Sequence, residues 1–166
     1  IAHSMSPAIH NAAFAATGGT GAAPTGPAAN DTGAPDWARK IRRSQATRDA
    51  GMTAGLAINP PTDVSTIMPH LQAFDLILIM SVNPGFSGQS FHEQVLPKGK
   101  AVKPHLRSDQ RLQFDGGVNA HTAEQARDAG GDLLVAASAI FGAPAYDRAI
   151  AEIRGQRSSK PISQQG

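Results

Sequence analysis

Between residues 52 and 154 short apolar runs alternate with longer mixed stretches, and every run stops at a loop-forming sequence. Met52–Ile58 ends at Asn59-Pro60-Pro61, and Leu76–Val82 ends at Asn83-Pro84-Gly85. Leu112–Phe114 leads into Asp115-Gly116-Gly117, and Leu133–Ala137 leads into Ser138. A run as continuously apolar as Leu76–Val82 reads as a strand covered on both faces, the habit of parallel sheets. Between the runs lie helix candidates. Thr62–Phe74 carries Val64, Ile67 and Leu71 at helical spacing, with Pro69 as a kink, and Ala120–Ala129 has Asn119 as cap and Gly130 as stop. Tyr146, Ile150 and Ile153 mark a last helix stopped by Gly155. From Phe91 to Leu106, Pro97, Gly99 and Pro104 interrupt any helix. Strand followed by helix, four times over, predicts an α/β fold with a parallel sheet and helices outside it. A closed (β/α)8 barrel needs eight such units and usually about 250 residues. This chain has 166 residues, so the pattern predicts half of a TIM barrel, four β/α units long.

The remainder of the chain differs in composition. Residues 1–18 form a short block in which Ser6 can cap a helix begun by Pro7, with Ile9, Ala13 and Phe14 on one face. Residues 19–36 are mostly Gly, Ala, Pro, Thr, Asn and Asp without periodicity, which predicts a disordered linker. Residues 37–155 carry the barrel pattern, and 156–166 read as a polar, disordered tail. Alanine supplies 29 residues and aromatics only 5% of the chain, so small side chains do much of the packing. No cysteine occurs, which excludes disulfides, thiolate metal sites and a cysteine nucleophile, and fits a cytoplasmic setting. No apolar run reaches the length of a membrane-spanning helix. The net charge of +2 is small, and the one basic cluster, Arg39, Lys40, Arg42 and Arg43, reads as a solvated helix face. Neither a nucleic acid nor a membrane is expected as partner. The chain opens on Ile1 without a signal-peptide pattern and reads as part of a longer frame.

In parallel α/β folds ligands sit beyond the carboxyl ends of the strands, and three sequences there stand out. The loop Asn83-Pro84-Gly85-Phe86-Ser87-Gly88-Gln89 has two glycines that let backbone N–H groups approach an anion and let the loop move as a lid. Asp115 ends the third strand, well placed as a general base or metal ligand, and Gly116 and Gly117 let backbone come near a phosphate. Ala137 and Ser138 begin a short helix whose free N–H groups suit an anion. The six histidines show no metal-binding spacing.

Four stretches carry a family resemblance. They are Gly51–Pro60, Met80–Phe91 (Met-Ser-Val-Asn-Pro-Gly-Phe-Ser-Gly-Gln-Ser-Phe), Asp115–Asn119 and Val135–Gly142. Together they make residues 51–154 resemble the C-terminal half of ribulose-phosphate 3-epimerase. The resemblance implies a TIM barrel that uses a divalent metal (Zn, Mn, Fe or Mg) to interconvert D-ribulose 5-phosphate and D-xylulose 5-phosphate by proton transfer at C3. Asp115 matches the family's acid/base and metal ligand. Gly85, Phe86, Ser87 and Gly88 match the loop that closes over the substrate phosphate, with Ser87 where glycine is usual. Gly116, Gly117 and Ser138 match phosphate-binding positions, and Ala137 stands where the family has glycine. Met80 matches a methionine packed near the reacting carbons. The family's second aspartate and its two metal-binding histidines belong to the other half of the barrel and find no replacement here. The metal site is therefore expected to be incomplete and the epimerase impaired.

Residues 3–18 resemble a different family, the substrate motif of shikimate dehydrogenase, with Ser4 and Ser6 at the positions that hold shikimate. Two alternatives follow: a sugar-phosphate-binding half barrel without catalysis, and a shikimate-dehydrogenase-like oxidoreductase. An open half barrel also predicts a homo-oligomer formed through its exposed edges.

Overall fold

The computed structural model describes residues 36–156, apart from 84, 86 and 87. The shikimate-dehydrogenase-like block with Ser4 and Ser6, the linker through residue 35 and the tail from 157 lie outside the described residues. The elements run α1 (Asp36–Asp49), β1 (Gly55–Ile58), β2 (Leu76–Met80), α2 (Leu96–Val102), β3 (Arg111–Asp115), α3 (Ala120–Asp128), β4 (Leu133–Val135), α4 (Ala137–Phe141) and α5 (Tyr146–Ile153). The four strands form one sheet in the order β1-β2-β3-β4, every neighbour parallel. Sequential parallel neighbours joined by helical crossovers are the wall of a partial α/β barrel.

Alternation along the strands divides the sheet into two faces. Leu56, Ile58, Ile77, Ile79, Leu112 and Phe114 point to the helical side and form the main core with Ile67, Leu71, Val95 and Val102. Leu78, Met80 and Val82 form a second cluster with Ala57 on the opposite face. Register aligns that inner face in layers: Ala57, Leu78, Gln113 and Leu133 in one, Met80, Asp115 and Val135 in the next. The layered interior of a barrel is thus present in half.

Three local expectations need correction. Thr62–Phe74 forms two 3-10 segments, Val64–Thr66 and Met68–Ala73, rather than one kinked α-helix. The Asp63 carboxylate caps the first from the Ser65 N–H, and Pro69 opens the second, so the break between them is built by two helix starters. Phe91–Leu106 is more helical than its prolines suggested. Pro97 sits in the first turn of α2 and Pro104 in the first turn of the 3-10 segment Lys103–His105, where a missing N–H costs nothing. Gly99 is tolerated inside α2 because a Cβ there would fall 2.7 Å from the Phe114 ring and 2.6 Å from the Ala129 carbonyl. Three strands are also shorter than their apolar runs: Met52, Thr53 and Ala54 precede β1, Ser81 and Val82 lie beyond β2, and Ala137 already belongs to α4.

Polar ties hold the crossovers on the sheet. The buried Gln110 amide donates to the carbonyls of Leu71 (2.8 Å) and Phe74 (2.6 Å), while its oxygen accepts from the Arg107 N–H. Lys98 on α2 donates to the Pro60 and Thr62 carbonyls, both at 2.5 Å, and so holds down the loop after β1. Its burial pulls the ammonium below its usual value, against the opposing pull of Asp63. Among the described residues no helix is long and apolar enough to cross a membrane.

Candidate functional site

The carboxyl ends of β2 and β3 are joined through Ser81, which is fully buried. Its N–H donates to the Asp115 carbonyl at 2.8 Å, its Oγ donates to the Gly116 carbonyl at 2.7 Å, and its own carbonyl accepts from the His92 N–H at 2.7 Å. One serine therefore fixes the position of the Asp115-Gly116 peptide against both the neighbouring strand and the start of the next crossover. A serine inside the apolar run Leu76–Val82 was the signal, and sequence reasoning passed over it.

Glycine is required twice in the turn that follows. Gly116 has φ +116° and Gly117 φ +65°, where L side chains are disfavoured. Space is equally restrictive: a Cβ on Gly116 would come within 2.4 Å of Val82 Cγ2, and one on Gly117 within 2.4 Å of the Phe91 nitrogen. The Gly-Gly turn thus sits directly against the backbone of the 88–91 segment. Thr122 secures its far side, its Oγ1 donating to the Gly117 carbonyl at 3.2 Å and accepting from the Asn119 N–H at 2.9 Å. Asn119 Oδ1 accepts from the His121 and Thr122 N–H groups, the predicted cap. These donors at the start of α3 are consequently spoken for.

Next to this turn opens a cleft of about 440 Å³ lined by Gly88, Gln89, Ser90, Phe91, Gly117, Val118, Asn119, Thr122, Ser138 and Ala139. All three strand-end sequences singled out above contribute to it. Among the described residues no side chain caps α4, and Ser138 and Ala139 at its start line the cleft. Gln89 Nε2 donates to the Asn83 carbonyl at 2.7 Å and closes the base of the first loop. Gly88, with φ +84°, turns that loop into the cleft.

Of the predicted positions, Gly88, Gly117 and Ser138 meet in the cleft, and Gly116 lies immediately behind it. Gly85 is exposed and Ala137 opens α4; neither lines the cleft. Phe86 and Ser87 lie outside the described residues. Asp115 is half-buried on the inner face of the sheet, in register between Met80 and Val135. Burial among such neighbours raises its carboxyl above the usual aspartate value. Gln89, Asn119 and Thr122 also line the cleft; Gln89 was foreseen as the end of the first loop and Asn119 only as a cap, while Thr122 was not foreseen.

The residues do not fit the divalent metal that the resemblance implies. Among the described residues no three His, Asp or Glu side chains come together as a cation site. Asp115 is flanked in its layer by a methionine and a valine, and neither is a ligand for a hard cation.

The ribulose-phosphate 3 epimerase family model matches residues 36–141. Ribulose-phosphate 3-epimerase of Bacillus subtilis is 43% identical over 120 residues, covering 70% of this chain and 55% of that protein. The Synechocystis enzyme is 42% identical over 117 residues (69% and 51%), and the Escherichia coli K12 enzyme 42% over 118 residues (69% and 52%). The chain spans about half the length of the curated relatives it matches. A crystal structure of 3-hexulose-6-phosphate synthase superposes with a TM-score of 0.38 at 18% identity, over 70% of this chain and 68% of that one. The parallel strand order, rather than that likeness, establishes the fold. With a family match that contains all four strands of the sheet and relatives above 40% identity, this chain belongs to the ribulose-phosphate 3-epimerase family.

Proposed function

We propose that this half barrel binds a pentulose 5-phosphate, with the phosphate in the cleft and C3 presented to Asp115. The convergence of Gly88, Gly117 and Ser138 on one cleft, two residues beyond the strand-end Asp115, carries the reading. A phosphate is recognised there by backbone N–H groups, which need close approach, and glycine at 117 supplies it. The Asp115 carboxylate would take the C3 proton, its electron pair moving onto the C2 carbonyl oxygen as an enediolate. Returning a proton from the same carboxyl restores the starting sugar, with solvent hydrogen at C3. Inversion, and so conversion of D-ribulose 5-phosphate to D-xylulose 5-phosphate, needs a second acid on the opposite face. The Met80–Asp115–Val135 layer contains no second acid. Exchange without efficient epimerisation is therefore the activity expected of the chain alone, and the family's metal-dependent turnover is impaired. The absence of cysteine supports a cytoplasmic setting for this chemistry.

The test is incubation with ribulose 5-phosphate in D₂O, following deuterium at C3 by NMR, beside Asp115→Asn. The expected result is slow incorporation by the parent, reduced at least about a hundredfold in the variant, as loss of an acid/base group implies. Equal incorporation by both would overturn the role of Asp115. The lone carboxylate in its layer also favours a second reading, a sugar-phosphate-binding module without catalysis. That reading predicts equal binding by both proteins and incorporation by neither.

A further inference from the structure

A hydroxyl stands at full burial where the apolar run Leu76–Val82 would accept any small hydrophobic side chain. Ser81 follows β2 directly, one step beyond the last register pair, Met80 with Asp115. Along a regular strand successive carbonyls point to opposite neighbours. Asp115 and Gly116 depart from this. The Asp115 carbonyl accepts from the Ser81 N–H at 2.8 Å, and the Gly116 carbonyl turns back to accept from the Ser81 hydroxyl at 2.7 Å. The φ of +116° at Gly116 makes that reversal possible. Two successive peptide planes, the ones that carry Asp115 into the Gly-Gly turn, are thereby tied to one residue.

The backbone of Ser81 also reaches the loop that borders the cleft. Its carbonyl accepts from the His92 N–H at 2.7 Å and so holds the end of the 88–91 segment. That segment lines the cleft, and its Phe91 nitrogen is the atom a Cβ on Gly117 would strike. Ser81 thus stands between the strand-end carboxylate and the cleft. Gly117 has an anchor of its own, the Thr122 hydroxyl on its carbonyl, whereas the Asp115–Gly116 end of the turn is held by Ser81. Removing the serine hydroxyl therefore loosens Asp115 more than it loosens Gly117.

We propose that Ser81 is a positioning residue for proton transfer at C3: its hydroxyl sets the separation between the Asp115 carboxylate and the phosphate-binding turn. This rests on the proposed function and deepens it. In a pentulose 5-phosphate, two carbons and an oxygen separate C3 from phosphorus, so a phosphate seated at Gly117 limits how far C3 can reach. The carboxylate must be held within that reach, and a displacement of about 1 Å costs about a hundredfold in rate. Ser81 touches neither the substrate nor the reacting atoms. It acts through the Gly116 peptide.

The test compares Ser81→Ala, Ser81→Cys and Ser81→Thr in the full 166-residue chain. Urea unfolding, inorganic phosphate affinity by isothermal titration, and C3 deuterium incorporation over a range of ribulose 5-phosphate concentrations are measured for each. Alanine leaves the Gly116 carbonyl without its donor, so the urea midpoint should fall whatever else the serine does. Positioning adds a split that a structural role would not produce. In Ser81→Ala the saturating exchange rate should fall about tenfold to a hundredfold, while half-saturation and phosphate affinity stay within about threefold of the parent. Ser81→Cys keeps the volume with a much weaker donor, so it should match alanine in exchange while unfolding nearer the parent. Ser81→Thr keeps the hydroxyl and should retain exchange to within about threefold of the parent. Unchanged saturating exchange in Ser81→Ala and Ser81→Cys, or a threonine variant as slow as alanine, would overturn the proposal and leave the role of Asp115 standing. Parallel loss of phosphate affinity and exchange, or loss of the fold in both the alanine and cysteine variants, would overturn it too, because the serine would then be structural. No incorporation by the parent would overturn the proposed exchange and this inference with it.

Discussion

The same four strands present two faces with opposite fates. On the helical side Ile77, Ile79, Leu112 and Phe114 are completely buried, and everything that covers them comes from this chain. On the inner side the two central strands bury Leu78 and Met80, but the edge strand leaves Leu133 and Val135 in solvent. The helical face was completed by local crossovers, each within a few tens of residues of the strands it covers. The inner face of a barrel is completed only across its diameter, by strands distant in sequence. A half barrel therefore keeps its stabilising core and loses the enclosure of its site.

The largest expected difference between the faces is in stability. Phe114→Ala removes a ring packed against Gly99, Gly131 and Phe91, and should cost about 3–5 kcal/mol in urea unfolding. A loss under about 1 kcal/mol would mean that the helical face is not the core. Next comes the cleft. Gly117→Ala forces a Cβ to 2.4 Å from the Phe91 nitrogen at a positive φ, so ribulose 5-phosphate affinity should fall tenfold or more, read by isothermal titration. Unchanged affinity would remove the Gly-Gly turn from the site.

Asp115 gives a pH signature with a definite sign. Burial raises its carboxyl pKa in the folded chain. The neutral form is thus the one the fold favours, and that stability is complete below the ordinary aspartate value and lost as pH rises through the raised one. Asp115→Asn should unfold at higher urea than the parent at neutral pH, and the gap should close in acid. A gap that widens in acid would reverse the assignment. Exchange at C3 should follow the opposite course and grow with pH as the carboxylate forms. The smallest effect belongs to the open face, where Leu133→Ser in the chain alone should change stability by under about 0.5 kcal/mol. A larger loss would show that the inner edge is already covered.

Much of this was legible in the sequence because parallel strands advertise themselves. Leu76–Val82 is apolar at nearly every position, and the Gly, Asn and Asp residues at the strand ends mark where the chain turns. The cleft was legible through Gly88, Gly117 and Ser138, whose residue types suit backbone anion recognition. The crossovers were less so. Prolines at 97 and 104 look like breakers until the structure shows them at first-turn positions, a distinction set by where each helix begins. Ser81 and Gln110 were missed for another reason: their roles are hydrogen bonds to carbonyls 35 and 39 residues away, and no local pattern encodes a partner that distant.

The most direct measurement is an amide NMR titration with ribulose 5-phosphate, run beside inorganic phosphate. The account predicts that both ligands shift the amides of Gly88, Gly117, Ser138 and Ala139, and that only the sugar phosphate also shifts Asp115 and Met80. Shifts confined to other parts of the chain, or none at millimolar ligand, would contradict the assignment of the cleft as the phosphate site.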